Sequence, residues 1–188
     1  MTENSDKNLP LAIERFVLHW GEMGSQWGVN RSVSQIHALL FLSERPLNTD
    51  EIVDTLKLAR SNVSNSIKEL LAWNLIHRVP VRGDRREHFQ AETDIWEMFL
   101  RIAAGRKERE VDPVIAVLRS CTADAERDGA VSPIARERLN DMLAFVEMMG
   151  GWYAQMLSAP KPQIATAIKL GTKILKFLPS SGKKGSVS

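Results

Sequence analysis

The stretch Thr49–Ala91 reads TDEIVDTLKLARSNVSNSIKELLAWNLIHRVPVRGDRREHFQA, and its reading decides the fold. Thr49 is a helix cap, and Asp50 and Glu51 suit the positive end of a helix dipole. Ile52, Val53 and Leu56 face inward. Lys57-Leu58-Ala59-Arg60 forms a turn. Ser61 then caps a second helix to about Trp73 or Asn74, with Val63, Ile67, Leu70 and Leu71 at i, i+4, i+7 and i+8 on its apolar side. Asn62, Asn65, Ser66 and Lys68 point away from it. Leu75–Val81 and Glu87–Ala91 are short strands joined by Arg82-Gly83-Asp84-Arg85-Arg86, with Gly83 and Asp84 as the tip. Pro80 restricts its strand to an edge or a last paired position. The order is a helix-turn-helix followed by a wing.

Outward from this stretch the chain is helical. Leu9 to about Trp27 carries Leu11, Phe16, Val17, Trp20, Met23 and Trp27 at helical spacing. Gly21, Gly24 and Gly28 permit close approach of another helix, either a partner subunit or the chain's own core. After a break at Val29-Asn30-Arg31, Ser32 or Ser34 caps a helix to about Ser43, with Val33, Ile36, Leu39, Leu40 and Phe41 inward. Pro46 ends it, and Leu47 is placed in a minimal strand beside the wing. Thr93 or Asp94 opens a longer helical region with Ile95, Trp96, Phe99, Leu100, Ile102 and Ala103 on one face. Arg101–Glu110 is dense in charge of both signs and is read as solvated. Pro113 marks a break or kink. Ser132-Pro133 opens a helix to about Met156 that is rich in Met, Leu and Phe, wide enough in apolar surface for burial on two sides. Pro160 and Pro162 read as a linker. Ile164–Leu178 is an amphipathic helix with Lys169, Lys173 and Lys176 on its polar side, and Pro179–Ser188 is read as disordered.

The expected fold class is therefore mainly α with a small β-hairpin wing, a winged helix-turn-helix plus flanking dimerisation helices. The expected divisions are an N-terminal helix over 1–28, the winged helix-turn-helix over 29–92, a helical dimerisation region over 93–157 and a Pro-led basic tail over 158–188.

Charge is unevenly placed. The net charge is only +2. Lys57–Arg86 holds seven basic residues against two acidic ones, and the chain from Leu157 onward holds six lysines and no acid. Basic charge gathered into blocks is the footprint expected on a polyanion. DNA recognition needs phosphate contacts that position and base contacts that read. The second helix of a helix-turn-helix presents its first residues to base edges in the major groove. Here those are Ser61, Asn62, Ser64 and Asn65; Asn pairs bidentately with adenine, and Ser donates or accepts. Lys57, Arg60 and Lys68 flank them as phosphate candidates. Arg82, Arg85 and Arg86 of the wing are candidates for backbone or a narrow minor groove. Double-stranded DNA is the expected partner. The competing reading is a winged-helix protein–protein module without specific DNA readout, but the basic wing favours DNA.

Other classes are excluded or set aside. There is no Gly-rich phosphate loop, nucleophile motif or acid–base carboxylate pair, so no catalytic residue is assigned and no enzyme is expected. One cysteine, Cys121, excludes a cysteine metal cluster, and His19, His37, His77 and His88 form no close ligand pair at helical spacing. Neither a metal nor another cofactor is expected. Cys121 is read as a buried inert thiol rather than an oxidation sensor. No apolar run reaches the roughly 20 residues that cross a bilayer. The segment MTENSDKNLP lacks the order of a signal peptide. A cytoplasmic location without a membrane partner is expected.

The run from Arg31 to Phe99, and above all SNVSNSIKELLAWNLIHRV with RGDRREHF, resembles the MarR-type winged-helix regulators and specifically their GbsR-like branch. The resemblance covers about Phe16 to Glu110. It implies a transcriptional regulator, expected to repress, in which a homodimer sets its recognition helices and wings on a palindromic operator. It also implies dimerisation through helices outside the winged domain. Some members resemble sensors of choline-type compounds, which implies a small-molecule effector. An aromatic cage holds a quaternary ammonium by cation–π attraction, and Trp20, Trp27, Trp96 and Trp152 are the available tryptophans, with core packing as their alternative role. The lysine-rich tail packs on the dimer, adds phosphate contacts or lies on an anionic membrane; packing with an electrostatic contribution is the preferred reading.

Overall fold

The computed structural model describes residues 9–175. The chain forms two compact units that divide between Arg106 and Lys107. The first is mainly helical with one small antiparallel sheet, as expected. It runs α1 (Leu11–Gln26), α2 (Arg31–Leu42), β1 (Leu47–Asn48), α3 (Thr49–Leu56), α4 (Arg60–Ala72), β2 (Ile76–Val81), β3 (Asp84–Ala91) and α5 (Ile95–Arg106). Its core joins Val17 of α1, Val33, Ile36, Leu39 and Leu40 of α2, Ile52 of α3, Val63, Ile67 and Leu70 of α4, and Phe89 of β3. Helical periodicity selected the helical residues among these, since each lies on the buried side of its own helix.

Helix starts differ from the expectation in a consistent way. Asn30, not Ser32 or Ser34, caps α2, accepting from the Ser32 amide at 2.8 Å. Both serines are buried within the helix. Asn48, not Thr49, caps α3. Its Oδ1 accepts from the Glu51 amide at 3.1 Å, and Glu51 Oε2 accepts from the Asn48 amide at 2.9 Å. This reciprocal pair satisfies two amides of the first turn. Ser61 caps nothing. Ala59 occupies the cap position of α4 without a side-chain bond, and Arg60 is the first helical residue. Asp94 caps α5 as expected, accepting from the Trp96 and Glu97 amides at 2.8 and 3.1 Å.

The glycines of α1 meet the chain's own α2. A Cβ on Gly24 would lie 2.0 Å from Ser34 Oγ, and one on Gly21 would lie 2.6 Å from Gln35 Cγ. Only a residue without a side chain lets the two helices approach this closely.

The sheet order is β1-β3-β2, so β1 pairs with the wing as anticipated and β2 is an edge. Pro80, which cannot donate to a ladder, sits on this edge where the register shifts between Val79 and Val81. The wing turn is tighter than expected. Val81 faces Asp84, leaving Arg82-Gly83 as a two-residue tip, and Gly83 takes φ +85°. Asp84, Arg85 and Arg86 therefore belong to β3, because the positive-φ position at Gly83 completes the reversal on its own.

The second unit holds a π-helical stretch Lys107–Val111, then α6 (Asp112–Arg127), α7 (Pro133–Ser158) and α8 (Lys161–Leu175). Pro113 falls in the first turn of α6 and starts it rather than kinking it. Ser132 caps α7, accepting from the Ala135 amide at 3.2 Å. Helices α6 and α7 pack closely; a Cβ on Gly150 would lie 2.9 Å from Ile115 Cδ1. Arg119 Nε donates to Glu147 Oε1 across them at 2.7 Å. Met142, Phe145, Met149 and Trp152, at i, i+3, i+7 and i+10, leave an apolar stripe exposed on α7. Cys121 is exposed on α6, which corrects the buried reading; the apolar pattern of α6 places Thr122 and Ala125 inward instead. Pro162 lies in the first turn of α8 and is no linker. Ile164 of α8 is buried. The expected continuation to Leu178 and the segment Pro179–Ser188 lie outside the described residues. Among the described residues no helix is long and apolar enough to cross a membrane.

Candidate nucleic-acid interface

Three elements of the first unit, α3, α4 and the hairpin β2–β3, carry the predicted side chains. Helix α3 ends at Lys57 in the left-handed region, φ +54°, which turns the chain into α4. On α4, Ser61, Asn65 and Lys68 are exposed. Their i, i+4, i+7 spacing aligns them on the face opposite Val63, Ile67 and Leu70. Ser64 is half-buried. Ser66, expected to face outward, is buried, because position 66 falls next to Leu70 at the border of the apolar face.

Asn62 differs from its neighbours. Half-buried, it donates through Nδ2 to Ser32 Oγ on α2 at 2.7 Å. The first turn of the presented helix is thus bonded to the body of the domain.

The basic residues fall into two groups. Arg60 pairs with Asp50 of α3. Arg86 Nε donates to both carboxylate oxygens of Asp84 at 3.0 Å, and its Nη1 lies 3.7 Å from Asp50. The bond from Arg60 holds the Asp50 carboxyl below its ordinary range, and the bond from Arg86 holds Asp84 well below it. Buried His88 accompanies this group, with Nε2 3.5 Å from Asp84 Oδ2. Arg82, Arg85, Lys57 and Lys68 form the second group, with no ion-pair partner among the described residues. Arg82 and Arg85 are exposed at the tip and the start of β3.

Asp50 was legible in sequence only as an acid in a helix's first turn. Its position between Arg60 and Arg86 is tertiary, and no local spacing signals it. Glu87, paired with Arg78 across the hairpin at 2.7 Å, was equally hidden by the tighter turn.

The tryptophans separate. Trp20 and Trp27 line a cavity of about 80 Å3 within the first unit, joined by Trp73, which no sequence pattern singles out. Trp96 is absent from that lining and meets Phe99 edge-on, with ring centroids 6.4 Å apart. Trp152 belongs to the second unit. Among the described residues no group of His, Cys, Asp and Glu is placed to hold a metal ion.

This geometry, a short helix, a left-handed turn, an exposed Ser/Asn/Lys face and an arginine-tipped hairpin, can be compared with known proteins. Residues 27–87 match the MarR family. The matched segment thus spans α2 to the first half of β3, the presented helix and the wing tip included; proteins of this family are transcription regulators, not enzymes. Two Bacillus subtilis (strain 168) proteins are similar. The HTH-type transcriptional repressor OpcR is 19% identical over 121 residues, 62% of this chain and 65% of OpcR. The putative HTH-type transcriptional regulator YvaV is 18% identical over 134 residues, 70% of this chain and 76% of YvaV. This chain therefore spans slightly under two thirds of OpcR. A crystal structure of a transcriptional regulator shares the fold, with a TM-score of 0.52 and 21% identity over 78% of this chain and 95% of that one.

Proposed function

We propose that this chain is a sequence-specific DNA-binding transcriptional regulator of the MarR type, GbsR-like in its winged stretch, acting as a cytoplasmic homodimer on a palindromic operator. The observation that carries the reading is the pairing of an α4 with Ser61, Asn65 and Lys68 exposed and a wing with Arg82 and Arg85 exposed, linked through Asp50, which meets Arg60 of α4 and Arg86 of the wing. A helix of this kind fits the major groove, and the hairpin tip reaches backbone or minor groove alongside it. With Asn62 bonded to Ser32, base reading falls chiefly on Ser61, Ser64 and Asn65. Arg60 and Arg86 contact phosphate only in competition with Asp50 and Asp84.

The homodimer is supported by the exposed stripe of Met142, Phe145, Met149 and Trp152 on α7, since apolar surface of this extent is characteristic of association. Repression is the proposed sense of control, in line with the name of OpcR. The buried Ile164 supports packing for the start of the tail.

The test is binding of the full chain to DNA from its own promoter region across a range of salt. A MarR-type DNA binder loses affinity steeply as salt rises, because phosphate contacts release counterions. Absent or salt-insensitive binding would leave a winged-helix protein–protein module in its place. Sedimentation of Phe145→Glu beside the unaltered chain tests the dimer; an unchanged mass removes α7 from the interface.

A further inference from the structure

Helices α1 and α3 both pack on α2. A groove of about 200 Å3 is lined by Glu14 and Leu18 of α1, Gln35 of α2, Thr55 and Leu56 of α3, and Lys57 where α3 ends. Helices α4 and α5 and the wing lend it no residue. The deepest of its polar groups is Gln35, only 8% exposed. Its stem lies against Gly21, where an added Cβ would stand 2.6 Å from Gln35 Cγ, so packing fixes it. Its carboxamide makes no hydrogen bond among the described residues. A buried amide that bonds nothing carries a desolvation cost, and this one borders the groove. It offers a donor and an acceptor there. The half-buried Thr55 hydroxyl is likewise unbonded among the described residues.

Charge adds a second constraint. Glu14 and Lys57 bring opposite signs to the same groove, and neither has an ion-pair partner among the described residues. A simple cation is drawn to one and repelled by the other, and so is a simple anion. A molecule with a positive and a negative end satisfies both.

We infer that the groove is a binding site for a small zwitterion of the amino-acid class. Its ammonium donates to Glu14 and to Gln35 Oε1. Its carboxylate accepts from Lys57 and the Thr55 hydroxyl. Its aliphatic part covers Leu18, which is 44% exposed, and Leu56. Leu18 follows Glu14 by four residues, so the apolar and anionic contacts share one face of α1. The size follows from the volume. About 200 Å3 exceeds the ~150 Å3 cavity that admits benzene, so roughly eight non-hydrogen atoms fit. That is the size of a short aliphatic amino acid.

L-Valine is the probe, titrated into the full chain without DNA and followed by calorimetry and melting temperature. Isobutylamine and 3-methylbutanoate each lack one of its charges, and N,N,N-trimethylvaline lacks its N–H donors. L-Valine binds and raises the melting temperature. Each of the other three binds about tenfold more weakly, the effect of one lost charge-assisted bond. Absence of L-valine binding at millimolar concentration overturns the site. Equal binding of either singly charged compound overturns the zwitterion class. Equal binding of the trimethyl form overturns the hydrogen-bonded ammonium at Glu14 and Gln35. Glu14→Gln, an exposed change that leaves the core intact, weakens L-valine binding about tenfold, and unchanged binding removes Glu14 from the site. Gln35→Met, which keeps the stem, weakens it as well, and an unchanged affinity in a folded Gln35→Met protein overturns the role of the buried amide. All of these readings use the free protein, so they stand or fall apart from the DNA-binding reading.

Discussion

Asn62 Nδ2 donates to Ser32 Oγ at 2.7 Å, tying the first turn of α4 to the first turn of α2. Of the two asparagines near the start of the presented helix, one is thereby engaged within the domain and the other, Asn65, is exposed. Their substitutions should separate. Asn62→Ala lowers stability by about 0.5–1.5 kcal/mol, the net worth of one such bond, with a uniform effect across DNA sequences. Asn65→Ala leaves stability nearly unchanged, costs about 1–3 kcal/mol of binding and relaxes preference at one operator position. Urea denaturation together with binding to a panel of point-substituted operators distinguishes the two. A specificity change for Asn62→Ala alone would reverse the assignment.

The wing arginines should also divide. Arg82 and Arg85 are unpaired among the described residues, whereas Arg86 is held by Asp84. Removing Arg82 and Arg85 together weakens promoter binding and flattens the log–log salt dependence by about 0.9 for each phosphate no longer neutralised. Asp50→Asn acts in the opposite sense. It releases Arg60 and Arg86 from their shared acid, so binding tightens and its salt dependence steepens. Anisotropy titrations at several salt concentrations measure both, and an Asp50→Asn protein with weaker binding would show that the acid orients these arginines instead.

Burial lowers the His37 pKa to about 4, below its unfolded value near 6.5. The neutral form is thus favoured in the folded state. The stability this contributes is complete above about pH 6.5 and is lost as pH falls toward 4, where the folded protein also takes up the proton. The full loss is roughly 3 kcal/mol at about 1.4 kcal/mol per unit of pKa difference. Melting temperature measured from pH 7 to pH 4.5 should fall more steeply for the unaltered chain than for His37→Leu. Parallel curves would mean that His37 does not titrate in this window.

Two helical glycines give opposite outcomes. Gly24→Ala forces a methyl against Ser34, with overpacking costs of about 1–3 kcal/mol. Gly151 of α7 has nothing within 4 Å of an added Cβ, so Gly151→Ala stabilises the helix by up to about 1 kcal/mol. Urea midpoints of the two variants check the signs.

Sequence periodicity alone determined the mainly helical fold, the order of elements from Thr49 to Ala91 and the inward residues Val63, Ile67 and Leu70, because a helix or strand buries one face at a fixed spacing. It also determined that basic residues gather in this stretch. Helix starts were legible only to within a residue or two. Asn48 and Thr49, or Asn30 and Ser32, are neighbouring capping types, and the choice depends on which side chain reaches a free amide. Only the tertiary structure decided which polar residues of the stretch remain available. Asn62 is bonded to a residue thirty positions away, Ser66 turns inward, and Asp50 stands between Arg60 and Arg86 from separate elements. It also brought Trp20, Trp27, Trp73 and His37 around one cavity. These relations are contacts between distant parts of the chain, fixed by how helices pack rather than by any local pattern.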